Sequence, residues 1–560
     1  MNRRNTLNTF LGRNNSILTS NKKKASQQKT TAPTDTGLEP FAGEWTYAQA
    51  AHLLRRTTFG ATHTQIKDAF NNGLEATIDT LFSNRPLPDP PLNSNDQDDP
   101  FVSIGDTWIN QPFSSQQQRN RRTQSIRAWT MELLLNDGIS IREKMVLFWH
   151  NHFVTQITTV KDPMFIYDYS NTLRENALGN FKDLVKLITV NPAMLRYLNG
   201  NQNSRVAPNE NYARELLELF TIGKGEFAGP GDNTTFTEDD VVAIAKSLTG
   251  WRDIGYFTDE ELEIGAVFVP NRHDTSTKTL SHRFNNATIT NAGDQEYINL
   301  IDIIFEQAEV SKFISRKLYR WFVYYDIDDS IEANVIAPMA QLLIDNNFEI
   351  QPVLEALFKS AHFHDVEQVG CMIKNPLDFV VGLFRQFEVQ IPTTLQQKYN
   401  LLLVMAQFSP SLQMEYYDPP NVAGWKAYYQ TPIYYQIWLN SVTIPIRMTF
   451  TTRIALQGYE FNFGDIIIDP LAFLSKLDEP ADVNTLIDEC VQILLPKPIT
   501  DGQKDYLKNI LIPGLPDYEW NVEYTEYAID PTNEALAISI GNKVRNLLAT
   551  IMTMPEYHLS

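Results

Sequence analysis

The run from Asn209 to Gly223 constrains the fold more than any other stretch of this chain. Read at a helical period, Asn211, Arg214, Glu215 and Glu218 fall at i, i+3, i+4 and i+7 and make one narrow polar stripe. Tyr212, Leu216, Leu219 and Phe220 make an apolar stripe at the same spacing, and Gly223 stands where a helix would stop. The polar stripe has two readings. It is a functional face rich in acid and guanidinium groups, or a solvated face tied by the pairs Glu210–Arg214 and Arg214–Glu218.

The same period continues on either side. Ordered structure is expected to begin near Trp45, with helices over residues 46–54, closed by Gly60, and 62–82. A Pro/Asp/Asn-rich loop follows over 85–100. Further helices fit 116–135, 141–152, 165–176, 181–189, 210–222 and 241–248. Ser140 with Glu143, and Thr237 with Asp240, spell capping signals for two of them. Between Trp251 and Phe284 the pattern changes, and alternation in Ala266-Val267-Phe268-Val269 reads as a short β-hairpin. Helical spacing resumes over 296–307, 311–325, 331–345, 352–359, 377–387 and 395–407. It returns in a less regular last third at 484–494, 504–511 and 533–552. No strong linker, internal repeat or heptad run divides the chain after residue 43. The expected fold is mainly α, a large multi-helix orthogonal array with a small β-hairpin insertion. It forms a single large helical domain over 43–560, behind a disordered basic N-terminal tail over 1–42.

A hydrophobic content of 43% supplies a large core, and no apolar run approaches the ~18 residues of a transmembrane helix. Cys371 and Cys490 are the only cysteines, which excludes a disulfide scaffold and a multi-cysteine metal site. Free buried thiols are expected there, with one bridge between them as the alternative. The net charge is −20, from 47 basic and 67 acidic residues. The first 34 residues carry seven basic side chains (Arg3, Arg4, Arg13, Lys22, Lys23, Lys24, Lys29) and no acidic one, so the body is more acidic still. Such a body repels nucleic acid and anionic membrane and tolerates cationic partners. The start, with Arg3-Arg4, resembles a twin-arginine export signal, but Arg13-Asn14-Asn15-Ser16 follows where an apolar region belongs. On this evidence the location stays open between exported and cytoplasmic.

Several residues could carry chemistry. His150 and His152 would share a face on a strand but point about 200° apart on a helix. One of them could join Glu215 or Glu218 from a facing helix around a metal of unspecified identity. The alternative is a core histidine held by hydrogen bonds. His273, Asp274 and Lys278 could orient an imidazole for acid/base work, or could form a turn in which Asp274 caps backbone amides. His362 and His364 read as an exposed helix end. Trp425, in Pro419-Pro420-Asn421-Val422-Ala423-Gly424-Trp425, supplies aromatic surface for a sugar or a partner, or packs a loop onto the body. The acidic loops at Asp326 to Asp329 and Asp232 to Asp240 do not match EF-hand spacing and read as solvated. There is no G-x-S-x-G, Walker loop or dinucleotide fingerprint, and no recognised motif requires a cofactor.

Taken together, the motifs resemble a bacterial family known as domain of unknown function 1800. The resemblance runs through Ala51 to Gly60, Arg142 to Met145, Phe148 to Phe153, Asn209 to Gly223 and Phe236 to Val241. It continues in Leu248 to Trp251, His273-Asp274 with Lys278-Thr279, Ile314 to Tyr319, Pro419 to Trp425 and Trp438 to Ser441. The resemblance implies a helical, often exported protein whose genes stand beside those of a sulfatase-like family. Ser281 stands where the family often has glycine. Two functions are therefore expected. The first is an envelope-associated or exported interaction or scaffold protein working with a protein partner. The second is a hydrolase-like enzyme acting on polysaccharide or another polymer. Its catalytic residues would be His150, Glu215 and His273, with Arg55, Glu210, Arg214, Glu218, Asp274, Lys278 and Trp425 in binding roles. Arg55, His150, Arg214, Glu215, Glu218 and His273 are expected to converge on one partly buried polar cluster, because the stripe uses arginine rather than lysine.

Overall fold

The structure is a computed structural model that describes residues 36–113, 115–257 and 264–560. Residues 1–35 of the expected tail lie outside the described residues. The last part of that tail is not loose: Phe41 N–H donates to the Lys359 carbonyl (2.8 Å) and Ala361 N–H to the Glu39 carbonyl (2.8 Å). The chain is therefore hydrogen-bonded to the body before residue 43.

The protein is mainly α, with 56% of the described residues helical. One contiguous hydrophobic cluster runs from Ala50 to Tyr557. Within it the long helix Gln116–Asn136 packs against Leu395–Phe408, and Thr443–Leu456 against Glu534–Thr553. Phe181–Thr189 forms over the residues its periodicity marks. Thr237 and Asp240 make a complete capping box, as their spacing requires. The expected helix over 62–82 is two helices, His63–Asn72 and Leu74–Leu81, because Gly73 between them takes φ +86°.

The Ser140/Glu143 capping signal misleads. Ser140 Oγ accepts from Arg142 N–H (3.1 Å), but the Glu143 carboxylate turns inward and takes both Nε (2.7 Å) and Nη2 (2.9 Å) of buried Arg174. A bidentate charge-assisted pair outweighs one capping bond. Two helices of more than ten residues fall outside the periodic segments, Thr443–Leu456 and Tyr518–Ile529, as do the short helices Ile157–Val160, Pro192–Tyr197 and Pro470–Leu474. Seven β-branched side chains in the first of them obscure its helical pattern.

The hairpin forms between Trp251–Ile254 and Gly265–Phe268, antiparallel, with Trp251 opposite Phe268. It has company. Three more two-stranded ribbons pair Phe227–Gly229 with Asp232–Asn233, Lys278–Thr279 with Thr288–Ile289, and Tyr459–Phe461 with Gly464–Ile466. The expectation of one hairpin was too few, since a ribbon of two or three residues leaves almost no alternation to read. Among the described residues no helix is long and apolar enough to cross a membrane. Cys371 and Cys490 are free.

Candidate functional site

The Asn209–Gly223 run begins as an α-helix, Glu210–Glu215, with Asn209 Oδ1 accepting from Asn211 N–H (2.9 Å). It continues as a π-helical turn over Leu216–Thr221. The wider turn changes which side chains face inward. Tyr212, Leu216 and Phe220 are buried as the stripe requires, but Leu217 is buried too and Leu219 stays half-buried. On the other face Arg214 makes a forked pair with Glu238, Nη1 to Oε1 at 3.0 Å and Nη2 to Oε2 at 2.7 Å. Glu210 (3.3 Å) and Glu218 (3.8 Å) also contact it, and Lys224 pairs with Glu218 (3.2 Å). The Arg214 side chain is 32% exposed, so each pair contributes at most about 1 kcal/mol. Burial raises the Glu215 carboxyl above its ordinary pKa, and the neighbouring Glu218 adds to the rise. The stripe is a half-exposed ion lattice that reaches a second helix, Glu238–Ser247.

His150 and His152 end the helix Arg142–His152 and go separate ways. His150 Nε2 donates to the Tyr416 carbonyl (2.5 Å), with the Tyr169 hydroxyl 3.2 Å from Nδ1. Burial lowers its pKa to about 4. His152 Nε2 donates to the Phe220 carbonyl (2.9 Å), and Nδ1 accepts from Lys317 Nζ (3.1 Å). Lys317 also donates to the Leu219 carbonyl (2.8 Å), and burial lowers its pKa to about 7. These two contacts fasten the π turn to the helix Ala308–Phe322. His362 and His364, expected at an exposed helix end, are buried as well. His362 Nε2 meets the Tyr319 hydroxyl (3.0 Å), and His364 Nε2 donates to the Phe358 carbonyl (2.9 Å).

His273 lies in a third place. Its Nδ1 faces the Thr249 carbonyl (2.9 Å) and its Nε2 faces Glu296 Oε2 (3.0 Å). Lys278 Nζ binds the other Glu296 oxygen (2.6 Å), so one fully buried carboxylate joins an imidazole and an ammonium group. Glu296, which no sequence motif marks, is the hub. Asp274 accepts from Ser276 N–H (2.9 Å), the turn-capping alternative stated for it above. Nearby, Ser281 N–H and Oγ both bond the capping carboxylate of Asp240 (2.6 and 2.7 Å). Serine at that position thus ties the ribbon of Lys278–Thr279 and Thr288–Ile289 to a helix start.

Arg55 stands in a fourth place, where Nη2 donates to the carbonyls of Gln492 (2.7 Å) and Ile493 (3.0 Å) near the end of the helix Val483–Leu494. Trp425 is only 1% exposed. Its backbone N–H donates to Asn151 Oδ1 (2.9 Å), and a Cβ on Gly424 (φ +90°) would stand 2.3 Å from that oxygen. The Pro419 to Trp425 loop is therefore docked on the end of the His150 helix, and its tryptophan is core rather than binding surface. The expected convergence needs correction. Arg214, Glu215 and Glu218 are neighbours, but Arg55, His150 and His273 keep separate hydrogen-bond partners. Helical spacing fixes neighbours on one helix and says nothing about distance between helices.

A different face is left open. On the helix Tyr518–Ile529 only Trp520 is buried, its Nε1 donating to the Pro480 carbonyl (2.8 Å). Tyr518, Val522 and Ile529 are 64%, 49% and 79% exposed. They fall at i, i+4 and i+11, one stripe of the helix. Leu515 and Ile538 are exposed near its two ends in the sequence, and Asp517, Glu526 and Asp530 are exposed acids on or beside it. The same spacing test applied to the Asn209 run would have found this helix.

A profile of the family described as protein of unknown function (DUF1800) matches residues 52–559. No curated protein and no solved structure matches the chain.

Proposed function

The chain belongs to the DUF1800 family, and from that premise we propose that it is an interaction protein that docks a partner protein through the helix Tyr518–Ile529. The exposed stripe of Tyr518, Val522 and Ile529 carries this reading. Large apolar side chains held in line at the surface mark interaction sites more often than scattered single ones do. The occupant has an apolar groove rimmed by lysine or arginine, which complements the acids around the stripe. A second copy of this chain fits poorly, because it would set acidic flanks against acidic flanks on a protein of net charge −20. An envelope or exported location belongs to the same proposal and rests on Arg3-Arg4 and on the family resemblance. A hydrolase built on His150, Glu215 and His273 draws less support, since each of these has its own packing environment. Carbohydrate as the bound molecule draws less support too, with Trp425 in the core.

The test is a photo-crosslinking amino acid placed at Ile529 in cells of the source bacterium, with the same group at Val366, 76% exposed, as the control. The expected result is one defined adduct at Ile529 that is absent at Val366, is lost when Val522→Glu is added, and fractionates with the envelope. Identical adducts at both positions, or none at Ile529, would overturn the proposal.

A further inference from the structure

The segment Leu495-Pro496-Lys497-Pro498-Ile499 joins the helix Val483–Leu494 to the helix Asp501–Leu511. Each proline biases the residue before it toward extended backbone, which stiffens the connection. Leu495 accordingly takes φ −111° and ψ 145°. The segment and the first turn of the helix Tyr47–Thr57 both line a groove of about 390 Å³. That volume falls within the ~300–1,000 Å³ of ordinary small-ligand sites. Val491, Leu495, Pro496 and Ile499 make its lining apolar, and all four are buried in the body beneath. The ring of Tyr47 adds to it, with its hydroxyl already held by His63 Nδ1 (2.9 Å).

Positive charge gathers along the same groove. Lys497 is exposed and makes no hydrogen bond or ion pair among the described residues. The helix Tyr47–Thr57 has no acidic residue in its first turn, and Thr46 Oγ1 accepts only from Gln49 N–H (3.3 Å). The N–H groups of Tyr47 and Ala48 keep no partner among the described residues, as the first donors of a helix do. Arg55, two turns further along this helix, also lines the groove and is 7% exposed. Its Nη2 serves the carbonyls of Gln492 and Ile493, while its Nη1 is neither hydrogen-bonded nor enclosed among the described residues. Lys504 is the third cation of the lining, and Asp488 pairs with it (2.6 Å). Three cations against one acid reverse the balance of a chain whose net charge is −20.

We propose that this groove binds a fatty acid, with a chain of about eight to ten carbons on Val491, Leu495 and Ile499 and its carboxylate at Lys497 and the start of the helix Tyr47–Thr57. At roughly 30 Å³ for each water-sized group, the groove holds about a dozen non-hydrogen atoms. Its apolar lining takes methylene groups out of water. A free ammonium group and the positive end of a helix both favour a carboxylate head. Asp488 on the same lining opposes a second negative charge, so a monoanion fits better than a phosphate dianion. The site is separate from the docking stripe, since none of Tyr518, Val522 and Ile529 lines the groove.

Isothermal titration of the full chain with sodium octanoate, 1-octanol and sodium acetate, at constant ionic strength and below micelle formation, tests the proposal. Octanoate is expected to bind saturably at one site. 1-Octanol, which lacks the charge, is expected to bind at least tenfold more weakly, and acetate, which lacks the chain, not at all over the same range. Lys497→Ala changes an exposed position and is expected to weaken octanoate at least threefold while leaving 1-octanol unchanged. Ala48→Trp, also exposed, fills the groove and is expected to weaken both ligands at least tenfold. Circular dichroism is expected to be unchanged in both variants, and if Ala48→Trp does not fold, Lys497→Ala decides. Wild-type protein that binds no octanoate or binds it without saturation would overturn the proposal. So would acetate or 1-octanol binding as tightly as octanoate, or a folded variant that binds octanoate as well as wild type.

Discussion

At the residue scale, the histidines show how burial redirects a side chain that looks catalytic in the sequence. His150 is held neutral by its surroundings, with a pKa lowered from 6.5 to about 4 by burial. The unfolded chain takes up a proton at this site below about pH 6.5, which the folded chain refuses until about pH 4. The stability from the site is complete above about pH 6.5 and is lost as pH falls through that window, by up to about 1.4 kcal/mol per pH unit. His150→Gln can still donate toward the Tyr416 carbonyl but does not titrate. Urea unfolding at pH 7 and pH 5 is expected to show a smaller loss of stability on acidification in the variant than in the wild type. Equal losses would mean that His150 is protonated in the folded protein. Glu296 and Glu143 illustrate a separate point about partners. Each is a buried carboxylate with a cation from a distant segment, and nothing in its immediate sequence announces the partner.

At the scale of elements, legibility follows the strength of the local signal. The helix Phe181–Thr189 and the Thr237/Asp240 cap were plain because their information lies within a few residues of each other. The break at Gly73 was missed because the apolar spacing runs on through it. Ser140 and Glu143 had the right spacing for a cap, and tertiary pairing with Arg174 took the glutamate away. In the Asn209–Gly223 run the faces were legible but the π turn was not. Lys317, bonding the Leu219 carbonyl and His152, holds that turn from another helix. The faces can be tested separately. Leu216→Ala empties a fully buried position and is expected to cost about 2–5 kcal/mol in denaturant unfolding. Leu219→Ala, at a half-buried position, is expected to cost distinctly less. A loss below about 0.5 kcal/mol for Leu216→Ala would mean that its side chain is not in the core.

At the scale of the whole molecule, the mainly helical class was legible, and the arrangement of candidate residues was not. The periodicity of 17 segments fixes the class, whereas relative placement depends on long-range packing that no spacing rule records. That is why Arg214, Glu215 and Glu218 were correctly grouped while Arg55, His150 and His273 turned out to have unrelated neighbours. The exposed stripe of Tyr518, Val522 and Ile529 is a whole-molecule property too, since only the finished fold reveals which apolar face has been left without cover. The most direct measurement is the mass of the protein as extracted from its cells, by size-exclusion chromatography with light scattering, for wild type and for Val522→Glu with Ile529→Glu. The account predicts that the wild-type chain runs in a complex larger than 64.1 kDa. The double variant is predicted to run as a free chain with unchanged circular dichroism. A wild-type chain that runs alone, or a folded variant that keeps the larger mass, would contradict it.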